Sequence, residues 1–337
     1  MLGLKVQLNM AEKAKRFIIE KSIINKDYRP KKESGYIIFP IIKKITFKEG
    51  EIVETEFDDT SRKTEDYKDL LKDKLTENEF ENLPSSYDIL GDIIIIEVKD
   101  NLVKHEKIIA DSLLKTHKAV KTILKKADIH GGEFRTQKLD YLAGENTKET
   151  IYRENNARFL LDVEKVYFSP RLSTERKRIY KQVKKGENIL VMFSGCGVYS
   201  IVFEKNTNAK RILGIEKNPI AHKYALKNLE LNKTNKIEFL KGDVRDIVPK
   251  LDEKFDRIAM PLPKDADTFL ESILNVVKKG TIIHLYGFSH RDNIKETEEK
   301  INEFCKKHNI KHKIYKTVKC GQYSPCKYRV CVDFEIM

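Results

Sequence analysis

The carboxyl-terminal half of the chain alternates short apolar runs with longer amphipathic segments. Continuous apolar runs are typical of strands that are buried on both faces of a sheet. The segments between them have helical spacing, as in "PIAHKYALKNLELN" at 219–232. Candidate strands lie at 188–193, 211–216, 236–242, 255–260 and 281–288. This alternation predicts a mainly parallel sheet covered by helices, the doubly wound α/β class.

Two more candidate strands, 311–319 and 327–336, close the chain. The segment between them, "CGQYSPC", is too short for the crossover that parallel strands require. We therefore expect this pair to be antiparallel and to give the sheet a reversed edge strand. The pattern predicts a Rossmann-like domain with an antiparallel last strand.

Two smaller α/β units are predicted ahead of this domain. Strand-like segments at 4–8 and 35–42 flank a helical segment at 11–24. The polar, acidic stretch 56–67 fits either a linker or an exposed loop. A buried strand at 92–100, a helix at 102–117 and a strand at 119–126 form the second unit. The predicted domains are a small amino-terminal α/β domain (1–60), an α/β middle domain (67–165) and the Rossmann-like domain (166–337).

Charge changes the picture by pointing to a polyanionic partner. The 337 residues carry 65 Lys and Arg against 52 Asp and Glu, a formal net charge of +13. A Lys- and Glu-rich surface of the kind found in heat-adapted proteins would give a similar composition. However, residues 165–185 hold eight basic residues and one acid, and residues 306–319 hold six Lys and no acid. Such clustering favours a nucleic-acid binding face.

The cysteines and the hydropathy pattern exclude other classes. The five cysteines are an odd number without a CxxC pair, which indicates neither a disulfide framework nor a zinc site. No metal-ligand cluster is evident. The chain has neither a signal segment nor an apolar run of about 18 residues, so a cytoplasmic protein without membrane contact is expected.

A nucleotide site is predicted at the ends of the first three strands of the Rossmann-like domain. Gly195 and Gly197, in "FSGCG", let the backbone approach a ligand before a helix begins. Glu216 ends the second strand, where a carboxylate can accept the ribose hydroxyls, and Asp243 follows the third. The dinucleotide fingerprint requires a third glycine, but position 200 is Ser. The set fits S-adenosylmethionine better than NAD, although a plain tight turn with two acids is the structural alternative.

The order of elements resembles the class I methyltransferases, and an upstream segment narrows the resemblance. Residues 131–179 contain "LAGEN", "KVYFSPRL" and then "ER", and "YSP" recurs in the final hairpin. These motifs resemble those of the archaeal and eukaryotic tRNA (guanine-37-N1)-methyltransferases. The resemblance covers roughly two thirds of the chain and is looser over the first 60 residues, where the family has a separate tRNA-recognition domain.

The resemblance implies roles for individual residues. Guanine N1 carries a proton, so methylation needs a base and a positive partner for charge that moves onto O6. Glu175 would be the base and Arg135 the partner; otherwise Glu175 complements a helix dipole and Arg135 contacts phosphate. Tyr167 and Phe168 would line the cofactor or stack on the flipped base, or else belong to the core. The implied cofactor contacts are Arg176, Phe193, Glu216, Lys217, Asp243, Val244 and Pro261, and the implied substrate contacts are Tyr167, Arg171, Pro261 and Pro263.

The segment "AMPLPK" (259–264) distinguishes this chain within the family. Members that modify only guanine have Asn-Leu-Pro-Lys where this chain has Pro261-Leu-Pro-Lys. An Asn amide can donate and accept at a base edge, whereas Pro261 supplies neither a side-chain amide nor an N–H. We hypothesise a broader pocket, as in the archaeal subgroup that also methylates carbon 7 of the tricyclic wyosine precursor. A purely structural turn is the alternative.

The expected partner is tRNA, bound through its anticodon loop and its outer corner by a monomeric enzyme. Two other functions stay open. An aminocarboxypropyl transferase of wyosine biosynthesis would use the same cofactor, but such enzymes lack the separate first domain and the "SPRL" and "ER" pattern. A catalytically inert tRNA-binding protein is disfavoured because Glu175, Glu216 and Asp243 are all retained.

Overall fold

The computed structural model describes residues 1–25, 27–58, 66–128, 131–262 and 266–337. Within these ranges the chain forms two compact units, Met1–Leu75 and Thr76–Met337. No helix in the described ranges is long and apolar enough to cross a membrane. Residues 59–65, in the stretch interpreted as a linker or loop, lie outside the described part.

The first unit packs one helix on a small antiparallel sheet. Its elements are β1 (Leu2–Gln7), α1 (Ala11–Glu20), β2 (Lys31–Glu33), β3 (Tyr36–Pro40) and β4 (Gly50–Glu54). The strand order is β2-β3-β1-β4. Ala14 and Ile18 of α1 are buried in a core shared with Leu4 and Phe39 of the sheet. The helix ends before the predicted residue 24 because Ser22 adopts a left-handed conformation (φ 53°), and β2 and β4 were not predicted.

The second unit begins with a four-stranded sheet and a hairpin. Its elements are α2 (Glu77–Glu81), β5 (Asp88–Leu90), β6 (Ile93–Ile96), α3 (Glu106–Thr116), β7 (Thr122–Lys126), β8 (Leu139–Gly144), β9 (Glu149–Glu154) and β10 (Ala157–Asp162). The sheet order is β5-β6-β7-β8, with β6 and β7 parallel, while β9 and β10 form a separate two-stranded sheet among the described strands. The predicted burial of β6 is confirmed. The strands β8 to β10 were not predicted; their residues mix buried and exposed positions and lack the continuous apolar run that marked β6.

A seven-stranded sheet dominates the rest of the second unit. Its elements are α4 (Ser173–Tyr180), β11 (Asn188–Met192), α5 (Val198–Asn206), β12 (Arg211–Glu216), α6 (Pro219–Asn232), β13 (Ile237–Lys241), α7 (Val244–Ile247), β14 (Arg257–Met260), β15 (Ile282–His290), α8 (Glu296–Lys307), β16 (His312–Ser324) and β17 (Lys327–Ile336). The strand order is β13-β12-β11-β14-β15-β17-β16. The five predicted parallel strands and the antiparallel β16–β17 pair are confirmed.

The reversed strand is inside this sheet and not at its edge, which corrects one expectation. β17 pairs with β15 on one side and β16 on the other, and both pairings are antiparallel. β16 therefore forms the edge and β17 is buried, as its apolar residues Val330, Val332 and Phe334 require. The sequence predicts the antiparallel pairing from the short connection, but not which of the two strands joins the sheet.

Candidate cofactor and active site

A cleft opens where the strand order of the large sheet reverses. β11 has β12 on one side and β14 on the other, and in such sheets ligands bind outside the carboxyl ends of the strands at this point. The cleft there measures about 1160 Å³, part of it open to solvent. It brings together eleven of the predicted site residues: Arg135, Tyr167, Phe168, Arg176, Phe193, Gly195, Glu216, Lys217, Asp243, Val244 and Pro261.

The turn after β11 is held in an unusual backbone conformation. Phe193, Gly195 and Gly197 have φ values of 57°, 57° and 87°. Glycine adopts such angles without strain, whereas Phe193 does so at a cost that functional sites commonly carry. A Cβ at Gly195 would meet only the Tyr167 carbonyl oxygen, at 3.9 Å, so this backbone faces the open cleft. A Cβ at Gly197 would lie 2.7 Å from the Phe239 ring, so this glycine serves packing and does not line the cleft.

Glu216 fastens this turn to the end of β12. The Gly195 N–H donates to Oε2 at 2.6 Å, and the Asn218 N–H donates to Oε1 at 2.7 Å. Burial raises the pKa of Glu216 despite these bonds. The Asn218 side chain in turn caps α6 by accepting from the Ile220 N–H at 2.9 Å. A desolvated carboxylate at the cleft wall, with lone pairs to spare, is suited to accept hydroxyl groups of a ligand.

Asp243 lies at the end of the neighbouring strand, two residues after β13, where the Gly242 N–H donates to the Glu216 carbonyl oxygen at 2.9 Å. It caps α7 by accepting from the Arg245 N–H at 2.9 Å, and its carboxylate also accepts from the Arg245 guanidinium and from Lys217. The guanidinium of Arg245 in particular holds the pKa of Asp243 well below its usual range. Lys217 also contacts Glu133, at 2.5 Å. Asp243 is thus a fixed anion at the entrance of the cleft.

The floor of the cleft contains a buried ion pair. The guanidinium of Arg176 makes two hydrogen bonds to the Glu154 carboxylate and donates to the Ser169 carbonyl oxygen at 3.1 Å. Both side chains are almost fully buried, at 3% and 2% exposure. Arg176 lies over the rings of Phe168 and Tyr199, 5.5 and 5.7 Å from their centroids. Because its charge is already paired with Glu154, Arg176 presents an apolar and aromatic surround to a ligand more than a free charge.

The mouth of the cleft combines cationic and aromatic side chains. The Arg135 guanidinium lies over the Tyr167 ring, 5.4 Å from its centroid, and Arg135 has a φ of 53°. Arg329 of β17 donates to the Tyr167 hydroxyl at 3.0 Å. Pro261 follows β14 at the same mouth, and the Leu262 N–H closes a tight turn onto the Met260 carbonyl oxygen at 2.9 Å. This edge is suited to a flat base next to a cationic group.

Three predicted site residues do not line the cleft, and one lies outside the described ranges. Gly197 packs against Phe239 as described above. Arg171 is exposed and forms an ion pair with Asp88, at 2.9 Å. Glu175 is buried, and its carboxylate contacts other side chains of the second unit. The fourth residue, Pro263, cannot be placed because residues 263–265 are not described.

The carboxylate of Glu175 is held by two side chains. Arg178, one turn further along α4, donates from Nε to Oε2 at 2.7 Å and from Nη2 to Oε1 at 2.8 Å. The Tyr286 hydroxyl donates to Oε1 at 3.0 Å and itself accepts from the Tyr199 hydroxyl at 2.9 Å. Tyr199 lines the cleft, so a chain of two hydroxyl groups links Glu175 to the cofactor side.

The same Arg178 also binds a second carboxylate, that of Asp333 on β17. Asp333 further accepts from His284 Nδ1 at 2.7 Å. Arg257 donates to His284 Nε2 at 2.6 Å and pairs with Glu187 at 2.7 Å. Because an arginine can only donate, Nε2 is unprotonated and His284 is neutral; burial likewise lowers the pKa of His284.

One buried group among the described residues has metal-ligand composition. His284, Cys331 and Asp333 have ligand atoms within 4.8 Å of one another. Both nitrogens of His284 are hydrogen-bonded, and two guanidinium groups contact the cluster, which opposes binding of a further cation. Hydrogen bonding accounts for this group.

Several residues of the site escaped sequence reasoning. Glu133, Arg245 and Phe269 line the cleft, and Glu154, Tyr286 and Asp333 support residues that were predicted. Asn218 also lines the cleft and was not predicted. Among these missed cleft residues it has a local signal, since Asn-Pro at the start of a periodic segment indicates a helix cap. The others are identified by partners that are distant in sequence.

Known families match the chain in three consecutive segments. The TRM5/TYW2 methyltransferase domain matches residues 150–313, the TYW2 N-terminal domain residues 67–147 and the tRNA methyltransferase 5 N-terminal domain residues 3–49. The order of these matches follows the order of the chain.

Individual relatives agree with these matches. The tRNA (guanine(37)-N(1))-methyltransferase Trm5b of Pyrococcus abyssi is 37% identical over 336 residues, covering 99% of both chains. The crystal structure of that Trm5b has a TM-score of 0.74 at 36% identity and covers 100% of this chain and 99% of its own.

Two further proteins extend the comparison. The tRNA (guanine(37)-N(1))/4-demethylwyosine(37)-methyltransferase Taw22 of Nanoarchaeum equitans is 37% identical over 308 residues, 75% of this chain and 100% of its own. The Trm5 of Methanocaldococcus jannaschii in complex with adenosine has a TM-score of 0.66 at 32% identity and covers 100% of this chain and 99% of its own. The resemblance inferred from the motifs is confirmed: the chain belongs to the TRM5/TYW2 methyltransferase family.

Proposed function

We propose that this protein is an S-adenosylmethionine-dependent tRNA methyltransferase that forms N1-methylguanosine at position 37. The supporting observation is the cleft at the strand reversal, where the open glycine turn after β11, Glu216 at the end of β12 and Asp243 after β13 follow one another along the carboxyl ends of neighbouring strands. The full-length similarity to Trm5b supports the same reaction. When bound, the cofactor supplies the methyl group.

The residues of the cleft fit the parts of this cofactor. Glu216 has the position and spare acceptor sites to bind ribose hydroxyls, and Asp243 can accept from the adenine amino group. Phe193, Val244 and Phe269 supply apolar surface around the base. Gly195 leaves room for close approach of the ligand to the backbone. The adenosine-bound Trm5 of M. jannaschii supports this assignment.

Glu175 and Arg135 have separate catalytic roles on guanine in this proposal. Glu175 takes the proton from N1, and Arg135, at the mouth of the cleft, stabilises the charge that develops on O6. Since Arg178 and Tyr286 already bind Glu175, one of their hydrogen bonds is exchanged when the nucleotide docks. Tyr167, beneath Arg135, offers the flipped base an aromatic face.

The proposal extends to a second methylation, at carbon 7 of the tricyclic wyosine precursor on the same nucleotide. Pro261 lines the cleft and offers no side-chain donor, so the pocket edge discriminates less between base edges. Both reactions remove a proton from the attacked atom, so one base can serve both. The two activities in the printed name of Taw22 favour this extension.

The remaining assignments concern the tRNA body and the state of the enzyme. Residues 1–60 would bind the outer corner of tRNA, residues 67–165 would support the catalytic domain at 166–337, and the mouth of the cleft would take the anticodon loop. Pro263 and Arg171 would contact the loop. The enzyme would act as a monomer in the cytoplasm.

The first experiment follows methyl transfer from labelled S-adenosylmethionine to two tRNAs, one with unmodified guanine 37 and one with the tricyclic precursor. Nucleoside mass analysis should find product on both. We expect Pro261→Asn to lower the rate on the precursor by about ten-fold relative to guanine, because the amide selects one base edge. Pro249→Asn, at an exposed position outside the cleft lining, is the matched control.

Each other result has a definite meaning. Product on guanine alone would end the dual-activity proposal and leave the guanine activity. An aminocarboxypropyl product would identify the alternative transferase. Cofactor binding without any product would identify an inert tRNA-binding protein. An unchanged preference in Pro261→Asn would show that Pro261 does not set specificity.

A further inference from the structure

Glu175, the proposed base, is one end of a chain of buried and partly buried charged groups, and the proposed reaction uses none of the other groups directly. The chain contains three carboxylates and two guanidinium groups, in the order Glu175, Arg178, Asp333 and, through His284, Arg257 and Glu187. With His284 neutral, its formal charge is therefore one negative unit. Isolated buried charge is costly, so the cluster as a whole favours uptake of one proton.

Arg178 is the branch point of this chain. Its guanidinium donates two hydrogen bonds to the Glu175 carboxylate on the same helix. It donates two more to the carboxylate of Asp333, 155 positions away in sequence. If Glu175 alone held Arg178, protonation of Glu175 would leave a partly buried guanidinium, 22% exposed, without a counter-charge. Asp333 supplies that counter-charge whether or not Glu175 carries a proton.

We propose that Asp333 and Arg178 are positioning residues for Glu175: Asp333 retains Arg178 when Glu175 accepts the proton, so that the buried Glu175 can act as a base although it is ion-paired. This inference rests on the proposed role of Glu175 in the methylation. The step balances as follows: Glu175 takes the proton of guanine N1 and becomes neutral, and the electron pair left on N1 forms the bond to the methyl carbon. The carbon–sulfur bond of the cofactor breaks, and its electron pair returns to sulfur, which changes from a sulfonium to a neutral thioether. Asp333 and Arg178 keep their charges throughout.

The other titratable groups around the cluster keep their protonation states when Glu175 accepts the proton. Hydrogen bonds from His284 and Arg178 overcome burial and hold the pKa of Asp333 well below its usual range, so Asp333 stays ionised. Burial raises the pKa values of Tyr199, Tyr286, Cys320 and Cys331, so these groups stay protonated. Arg176 is paired separately with Glu154. In the proposed reaction Glu175 is the group of this cluster that receives the proton of N1.

The pH profile of the single-turnover rate tests the proposal with tRNA that carries guanine 37. In Asp333→Asn the cluster loses its excess negative charge, so Glu175 holds a proton less readily. We expect the acidic limb of the profile to move about one unit to lower pH and the plateau rate to fall about ten-fold. Asp333→Glu should restore the wild-type limb, and Asp252→Asn, an exposed aspartate, should leave both unchanged.

A second variant keeps the test decisive if Asp333→Asn does not fold, as judged by thermal melting and cofactor binding. Arg178→Lys keeps the net charge but cannot bond both carboxylates with a planar fork. We expect its plateau to fall about ten-fold with the acidic limb unmoved. A wild-type plateau in Arg178→Lys, or an unmoved limb in folded Asp333→Asn, would overturn the proposal.

The controls separate this inference from the proposed function. If the wild-type protein methylates no guanine, or if Glu175→Gln keeps the wild-type rate, the function or its base is wrong and the inference ends with it. If the wild type is active and Glu175→Gln is impaired while Asp333→Asn matches the wild-type profile, only the inference is overturned.

Discussion

At the scale of the residue, Glu216 does two things at once. It pins the turn after β11 through the Gly195 N–H and the start of α6 through the Asn218 N–H, and it faces the cleft. A carboxylate can accept from two backbone donors and still bind hydroxyl groups, because it has about four acceptor sites. The residue that positions the loop is therefore also the expected ligand of the cofactor.

We predict that Glu216→Gln weakens S-adenosylmethionine binding by about 10- to 100-fold, since the amide NH₂ must face a backbone donor and the charge is lost. Isothermal titration measures the change, with Glu230→Gln on the exposed face of α6 as the control. Burial raises the pKa of Glu216, so wild-type affinity should fall as pH drops through that raised value. Unchanged affinity in Glu216→Gln would remove this residue from the cofactor site.

At the scale of the element, helix α6 joins the hairpin β9–β10 to the large sheet. Asn228 is fully buried, accepts from the Leu160 N–H at 2.8 Å and donates to the carbonyl oxygens of Leu160 and Cys196 at 3.0 Å. Asn232, one turn later, binds the backbone of Arg158 in the same way. The two amides take the place of a neighbouring strand along the open edge of β10.

We expect Asn228→Ala to lower the free energy of unfolding by about 2–4 kcal/mol, because buried backbone groups of β10 lose their partner. Chemical denaturation monitored by circular dichroism gives this value, and Lys223→Ala, exposed on the same helix, is the control. A loss no larger than that of Lys223→Ala would show that the hairpin does not depend on this amide.

At the scale of the whole molecule, the net charge of +13 acts on a polyanionic substrate. Lysine and arginine contacts to phosphate release counterions, so affinity falls steeply with salt. We predict that tRNA binding weakens on the order of 10³-fold between about 50 and 200 mM salt, as measured by filter binding. Cofactor affinity at the same salt concentrations is the control and should barely change. A salt-insensitive tRNA affinity would exclude the basic surface as the main contact.

Most of the fold was accessible from the sequence because its signals are local. The five parallel strands, the antiparallel final pair and the glycine turn each follow from patterns within a few residues. The place of β17 inside the sheet, and the strands β8 to β10, depend on pairing between distant segments. The domain boundaries at 60, 67 and 166 stay predictions, as do the roles of the individual site residues.

The sequence by itself determined the fold class, the family and eleven residues of one cleft, since strand ends, caps and glycine turns carry local patterns. Only the tertiary structure decided how Glu175 is held. Its partner Arg178 is three residues away, but Asp333, which shares Arg178, is 155 positions away. Ion pairs between residues that are distant in sequence produce no periodic sequence pattern, because they form only when the sheet brings their strands together.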